Sequence, residues 1–320
     1  MLRVLKTEDM LYPHWLQWGV MDRRTYLKTG AGVVAGGLIA GCTGGGNGGS
    51  DETETDASAD TESTSGETTG EQTESEESVV PSKVVIGSDI PYRPFEYETT
   101  SGELKGFDVE IAQAVFEEEL GVEYEFKKTS FDSIIPSLNS GRFRIIMSAM
   151  TINEKRKEKV DFSEPYFTAY QTVIIKKDSS ISSKEDLKGA TIGVQKGTTG
   201  ASAAEELKTE FDGDLTLKKY DQIPSAFQAL INGQIDAIVN DNTVNSEFAN
   251  KRDDVVFLEG EGAAAAEGEN APPYLTLTVE NYGIGFRKAD DEFRKKVNEA
   301  LAAVKENGTY DEIYSTYFSG

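Results

Sequence analysis

One supersecondary pattern occurs twice in the chain, and it restricts the fold more than any other feature. Ser137-Leu138-Asn139-Ser140-Gly141-Arg142-Phe143 is echoed by Ala229-Leu230-Ile231-Asn232-Gly233-Gln234-Ile235, each reading as a helix end, a glycine-centred turn and a strand start. Each copy closes a longer series. The first comprises a strand at 84–87, an irregular stretch with Pro91 and Pro94, a helix at 108–120, a strand at 123–127, a helix at 131–139 and an apolar strand at 143–150. The second repeats the order with strands at 191–194, 215–220 and 235–240 around helices at 201–211 and 223–231. A β-α-β-α-β order demands mainly parallel sheets with right-handed crossovers, and ligands collect beyond the carboxyl ends of such strands. The expectation is an α/β fold of two lobes facing one another across a cleft.

Segments outside the two series tie the lobes together. Residues 164–177 lie between them, with the run 172–176 suited to cross from one lobe to the other, and 259–273 is loop-like and rich in Gly, Ala and Glu. A returning strand at 282–287 and a closing helix at 291–307, with Phe293, Val297, Leu301 and Val304 at core spacing, complete the first lobe. The expected boundaries are 82–170 and 278–320 for the first lobe and 171–277 for an inserted second lobe, with two strands between them acting as a hinge.

At the end of the first series the apolar run breaks at Thr151-Ile152-Asn153-Glu154, which has the form of a capping box. A helix N-terminus there would offer unpaired N–H groups to an anion, and Arg156, five residues after the cap, could add a guanidinium fork. Read locally, 154–159 fits a solvated, charged first helical turn better than an anion site.

Composition sets the chemistry aside from the fold. The only histidine is His14, the only cysteine is Cys42, and both tryptophans precede Met21. Ser-His and Cys-His catalysis and His/Cys metal sites therefore have no residues in the folded part, although a carboxylate-based enzyme remains possible. Residues 1–42 read as an export signal: Arg23-Arg24 resembles a twin-arginine motif, an apolar segment follows, and Ile39-Ala40-Gly41 before Cys42 resembles a lipoprotein cleavage box, with translation expected to start at Met21. Residues 43–81 are almost wholly Gly, Ser, Thr, Asp and Glu, so they cannot bury enough apolar surface to fold and read as a disordered tether. Residues 81–320 carry 42 acidic against 27 basic side chains, a balance that repels nucleic acid. With the tether, this acidity resembles secreted proteins of halophilic archaea.

Several motifs in order resemble one family, the extracytoplasmic solute-binding proteins for polar amino acids that serve ABC importers (family 3). They are Ser88-Asp89-Ile90-Pro91-Tyr92-Arg93-Pro94-Phe95-Glu96, Gly106-Phe107-Asp108-Val109-Glu110, Phe131-Asp132-Ser133-Ile134-Ile135-Pro136-Ser137-Leu138, Met150-Thr151-Ile152-Asn153-Glu154-Lys155-Arg156, Asp161-Phe162-Ser163-Glu164-Pro165-Tyr166, Gly197-Thr198-Thr199 and Glu306-Asn307-Gly308-Thr309-Tyr310. The resemblance implies a two-lobed periplasmic-binding-protein-like (type II) fold and no cofactor or metal. It implies that Arg156, Thr151 and the backbone near Ser148 and Ala149 bind an α-carboxylate, joined across the cleft by Gly197, Thr198 and Thr199. Asp241 would take the α-ammonium, Tyr92 and Phe131 would sandwich the side chain, and Asp89 and Gln195 would touch its tip. The implied ligand is a free polar or basic amino acid (Gln, Arg, Lys or His), and the implied partner is a permease reached by a lipid-anchored monomer on the outer membrane face. Two other functions occur on such a fold, a cyclohexadienyl-dehydratase-like enzyme and a sensory module. Arg144, Gln195 and the 259–273 loop depart from the family pattern.

Overall fold

The computed structural model describes residues 79–318. The twin-arginine pair, Met21, Cys42 and residues 43–78 of the tether lie outside the described residues. Two sheets dominate. In the first, Glu123–Lys128, Lys83–Ser88 and Ile145–Ile146 run parallel, and Gly285–Phe286 returns antiparallel beside Asp161–Phe162. In the second, Thr216–Tyr220, Thr191–Gln195 and Ala237–Asp241 are parallel, with Ala237 opposite Ile192, while Phe167–Lys176 is antiparallel to Ala237–Asp241. Phe167–Lys176 also pairs antiparallel with Thr276–Tyr282, from Phe167 opposite Tyr282 to Thr172 opposite Thr276. These two strands are the ones that lead from one sheet to the other.

The sequence echo has a steric cause. Gly141 and Gly233 both adopt left-handed φ, 76° and 66°, after the helices Phe131–Asn139 and Ile223–Ile231. In each copy the N–H groups of the glycine and the next residue return to carbonyls of the last helical turn: Gly141 to Leu138 and Arg142 to Ser137, Gly233 to Leu230 and Gln234 to Ala229. The turn then drops a bulky residue onto a neighbouring glycine. A β-carbon on Gly87 would lie 2.3 Å from the Phe143 ring, and one on Gly193 would lie 2.4 Å from Ile235 Cδ1. Each parallel strand thus needs glycine at the position that receives the large side chain beyond the turn.

Apolar cores cover both faces of each sheet. On the first sheet, Ile134 and Leu138 pack with Ile146 and Phe162 on one side, and Phe107, Ile111, Phe116, Val297 and Leu301 with Val84 and Ile86 on the other. On the second, Ala203, Ala204 and Leu207 cover Ile192 and Val194.

Several expectations need correction. The run 143–150 is strand only at Ile145–Ile146, because the chain turns toward the other sheet at Ala149, whose φ is 45°. The helix expected over 108–120 is an α-helix at Phe107–Ala112 that continues as a π-helix at Gln113–Glu119. The 259–273 loop contains a 3-10 helix at Ala263–Asn270. Beyond the expected closing helix lies a further one, Thr309–Phe318, to which no element was assigned from sequence. Its aromatic residues pack on the junction between the sheets, with the Phe318 ring 4.8 Å from Phe167 and 5.1 Å from Phe107.

Candidate functional site

Both sheets point strand ends into one polar cavity. Ten of the twelve expected site residues line it: Asp89, Tyr92, Phe131, Ser148, Ala149 and Thr151 from the first series, and Gln195, Thr198, Thr199 and Asp241 from the second. Arg156 and Gly197 line the adjoining mouth, together with Phe131, Thr198 and Thr199.

The expected capping box at Thr151 does not form. Asn153 is the N-cap, its side chain accepting from Arg156 N–H at 2.9 Å, and the helix is the single turn Glu154–Lys157. Arg156 is therefore the third helical residue. Thr151 instead bridges to Tyr282 on the connecting strand, which draws the chain inward ahead of the turn. Arg156 is only 8% exposed, and its guanidinium donates to Thr151 O at 2.7 Å and, across the cleft, to Gly197 O at 3.3 Å. Its carbon lies 5.2 Å above the Phe131 ring. Burial pushes its pKa down to about 10, while Glu280 and Asp241 oppose that shift, so it stays cationic at neutral pH.

The opposing wall is better built for an anion. Thr198 caps the twelve-residue helix Thr199–Glu210, accepting from Ala201 N–H at 3.1 Å, and Gly197 precedes it at φ 77°. Thr199 Oγ1 lies 3.3 Å from Thr151 Oγ1, so hydroxyls from the two sides meet beside Arg156.

Asp241 ends its strand at 5% exposure and accepts hydrogen bonds from Tyr92 Oη and Gln171 Nε2. Burial raises its carboxyl to about 6, with Glu280 adding to the rise and Tyr92 and Arg156 opposing it. Tyr92 thus differs from a simple ring wall: its hydroxyl holds Asp241, and it also donates to Asn240 Oδ1 at 3.1 Å. At the far end Asp89, 3% exposed, accepts from Gln195 Nε2, another bond across the cleft. Burial raises Asp89 to about 6 as well, against the bond from Gln195. One donor expected for the anion is committed elsewhere, since Ala149 N–H donates to Asp108 Oδ2 at 2.8 Å. Ser148 is likewise engaged, its hydroxyl accepting from Asp89 N–H at 2.9 Å and donating to Glu96 Oε1 at 2.7 Å.

Sequence reasoning missed Gln171 and Asn240, which line the cavity, and Glu280 and Tyr282 beneath it. The signal available was a polar Gln171-Thr172 pair inside the apolar strand Phe167–Lys176. Of the departures from the family pattern, Arg144 is accounted for by Asp290 at 3.4 Å and the Phe293 ring at 4.8 Å.

Residues 84–320 match the family model described as bacterial extracellular solute-binding proteins, family 3. The probable histidine-binding protein of Neisseria gonorrhoeae is 33% identical over 241 residues, covering 75% of this chain and 84% of that one. An ancestral arginine-binding protein solved bound to arginine gives a TM-score of 0.66 at 37% identity, covering 75% of this chain and 99% of that one. An ancestral amino acid-binding protein described as a precursor of cyclohexadienyl dehydratase gives 0.64 at 37% identity, covering 74% of this chain and 96% of that one. The fold is thus the two-lobed, periplasmic-binding-protein-like (type II) α/β fold.

Proposed function

The chain belongs to the bacterial extracellular solute-binding proteins, family 3, and from that premise we propose that it captures a free polar or basic L-amino acid between its lobes and delivers it to the permease of an ABC importer. The observation that carries the reading is the pairing in one cleft of a buried cation, Arg156, with a buried carboxylate, Asp241, each on a different sheet's side. Bringing both ends of a zwitterion out of water requires both charges to be matched. Glutamine, arginine, lysine and histidine are the favoured ligands, because Asp89 at the far end accepts hydrogen bonds from an amide or a cation and repels a carboxylate. The lobes, 82–170 with 278–320 and 171–277, close on the ligand through the two connecting strands, and the ligand bridges them.

Isothermal titration of the protein in high salt against the twenty amino acids tests this. Binding of at least one polar or basic member well below millimolar is expected, and none binding would end the reading. Asp89→Asn is expected to reorder preference, weakening a basic ligand by about tenfold while changing glutamine by less than about threefold. Equal losses for both ligands would mean that Asp89 does not read the side chain.

The two carboxyls at about 6 set a pH profile. Ligand cations need them ionised, so affinity is expected to fall by about tenfold for each group the ligand requires between pH 7 and 5. Stability of the ligand-free protein runs the other way. Folded pKa values near 6 stand above the ordinary 3.8, so the folded chain binds protons more tightly and Tm should fall as pH rises from about 4 to 6. Titration and melting curves over pH 4–8 check both signs.

We further read the protein as a carrier that makes and breaks no bond, although the likeness to a dehydratase precursor supports a second reading. Incubation with prephenate, followed by absorbance, decides between them. Export through Arg23-Arg24, a lipid on Cys42, a tether at 43–81, a monomeric state and a high-salt habitat belong to the same proposal and rest on sequence alone. Mass spectrometry of the Cys42 peptide from membranes tests the anchor.

A further inference from the structure

Behind the cleft wall lies a carboxyl pair that no part of the ligand reading uses. Glu96 and Asp108 are both fully buried, at 0% exposure. Their surroundings differ. Asp108 receives two donors, Ala149 N–H at 2.8 Å and Tyr166 Oη at 2.9 Å, as an ionised carboxylate requires. Glu96 receives one, the Ser148 hydroxyl at 2.7 Å on Oε1, and its Oε2 has no partner among the described residues. The Ser88 hydroxyl, which also lacks a partner at hydrogen-bond distance, lies close enough to favour the ionised form of Glu96 slightly, against the burial and the neighbouring carboxylates that oppose it.

The charged and titratable groups facing Glu96 are Asp108 and Asp89, with the phenols of Tyr92 and Tyr166. None is a cation. Burial first, then Asp108, then Asp89 push the Glu96 carboxyl well above the usual range, whereas Asp108, relieved by its two donors, rises only to about 6. Two buried carboxylates with no counter-ion between them are too costly to coexist, so one takes a proton. Geometry selects the one with an unserved oxygen.

We propose that Glu96 is a neutral, proton-bearing positioning residue which, with ionised Asp108, holds the Ser148-Ala149 turn and the Asp89 backbone in the arrangement that grips the ligand. The chain of bonds is continuous. Glu96 accepts from Ser148, Ser148 accepts from Asp89 N–H, and Asp108 accepts from Ala149 N–H. Ala149 needs the support, because its φ of 45° disfavours any residue with a β-carbon. A neutral Glu96 also keeps a further negative charge away from Asp89, leaving Asp89 ionised at neutral pH for its own bonds.

The binding arm of the test rests on the amino-acid reading, and the spectroscopic arm does not. Infrared spectra of the ligand-free full chain at pH 8 should contain a buried carboxylic-acid C=O band that is absent from Glu96→Gln and present in Asp89→Asn. No such band in the wild type, or its persistence in Glu96→Gln, overturns the assignment whether or not any amino acid binds. For binding, Glu96→Leu, which strips Ser148 of its acceptor, and Asp108→Leu, which strips the Ala149 N–H and the Tyr166 hydroxyl of theirs, should each raise Kd by about tenfold or more. Glu96→Gln, which keeps an acceptor and a donor in the same shape, should stay within about threefold. If Glu96→Gln loses as much as Glu96→Leu at unchanged Tm, Glu96 acts as an anion and the proposal fails.

Discussion

Replacing Arg156 with alanine is expected to abolish measurable binding of whichever amino acid the protein takes up. Three features set the size of the loss. The guanidinium is almost wholly buried, it is stabilised as a cation by Glu280 and Asp241, and it already reaches across the cleft to Gly197 O. Truncating one member of a buried, hydrogen-bonded charge pair costs about 2–5 kcal/mol, or roughly thirty-fold to several-thousand-fold in Kd. Arg156→Lys should fall between, because it keeps the charge but not the fork that spans Thr151 O and the opposite lobe. Titration calorimetry reads the loss, and far-ultraviolet circular dichroism should be unchanged in both variants. A loss below about tenfold in Arg156→Ala would remove Arg156 from the site. The wall of Thr198 and the helix Thr199–Glu210 would then have to bind the anion unaided.

The fold was more legible than the site's wiring, for a physical reason. Periodicity reports which faces are apolar, so Phe131–Asn139 and Ile223–Ile231 were read to the residue, and the glycine turns after them were read from the echo. Local patterns do not report where a chain is pulled by a distant group. The apolar run at 143–150 looked like one strand, yet Asp108, more than thirty positions earlier, takes the Ala149 N–H and turns the chain after Ile146. Thr151 had the form of a cap, but the bridge to Tyr282 claims it and passes the capping role to Asn153. The residues that line the cavity came from motifs, whereas the bonds among them, Tyr92 to Asp241 and Gln195 to Asp89, join segments that no sequence window contains together. Gln171 escaped because a polar residue in an apolar strand carries a signal only when its partners are known.

Asp241→Asn is expected to have the second-largest effect, a rise in Kd of about thirty-fold or more at pH 7, from loss of a charge-assisted bond worth about 1.5–3 kcal/mol together with new mismatches. The mismatches are specific. Both carboxylate oxygens now accept, one from Gln171 Nε2 and one from Tyr92 Oη, so an amide nitrogen must face a donor on one side. A weakened variant alone would therefore not separate an ammonium contact from a scaffold role. A cycle with a ligand that lacks the α-amino group does. If Asp241 holds the ammonium, the deaminated ligand should bind wild type and Asp241→Asn almost equally poorly, and the two changes together should cost far less than their sum. Full additivity would make Asp241 a support for Tyr92 and Gln171, with the ammonium bound elsewhere. The pH profile supplies an independent check, because the share of the affinity loss below pH 6 that belongs to Asp241 must vanish in Asp241→Asn while the share belonging to Asp89 remains.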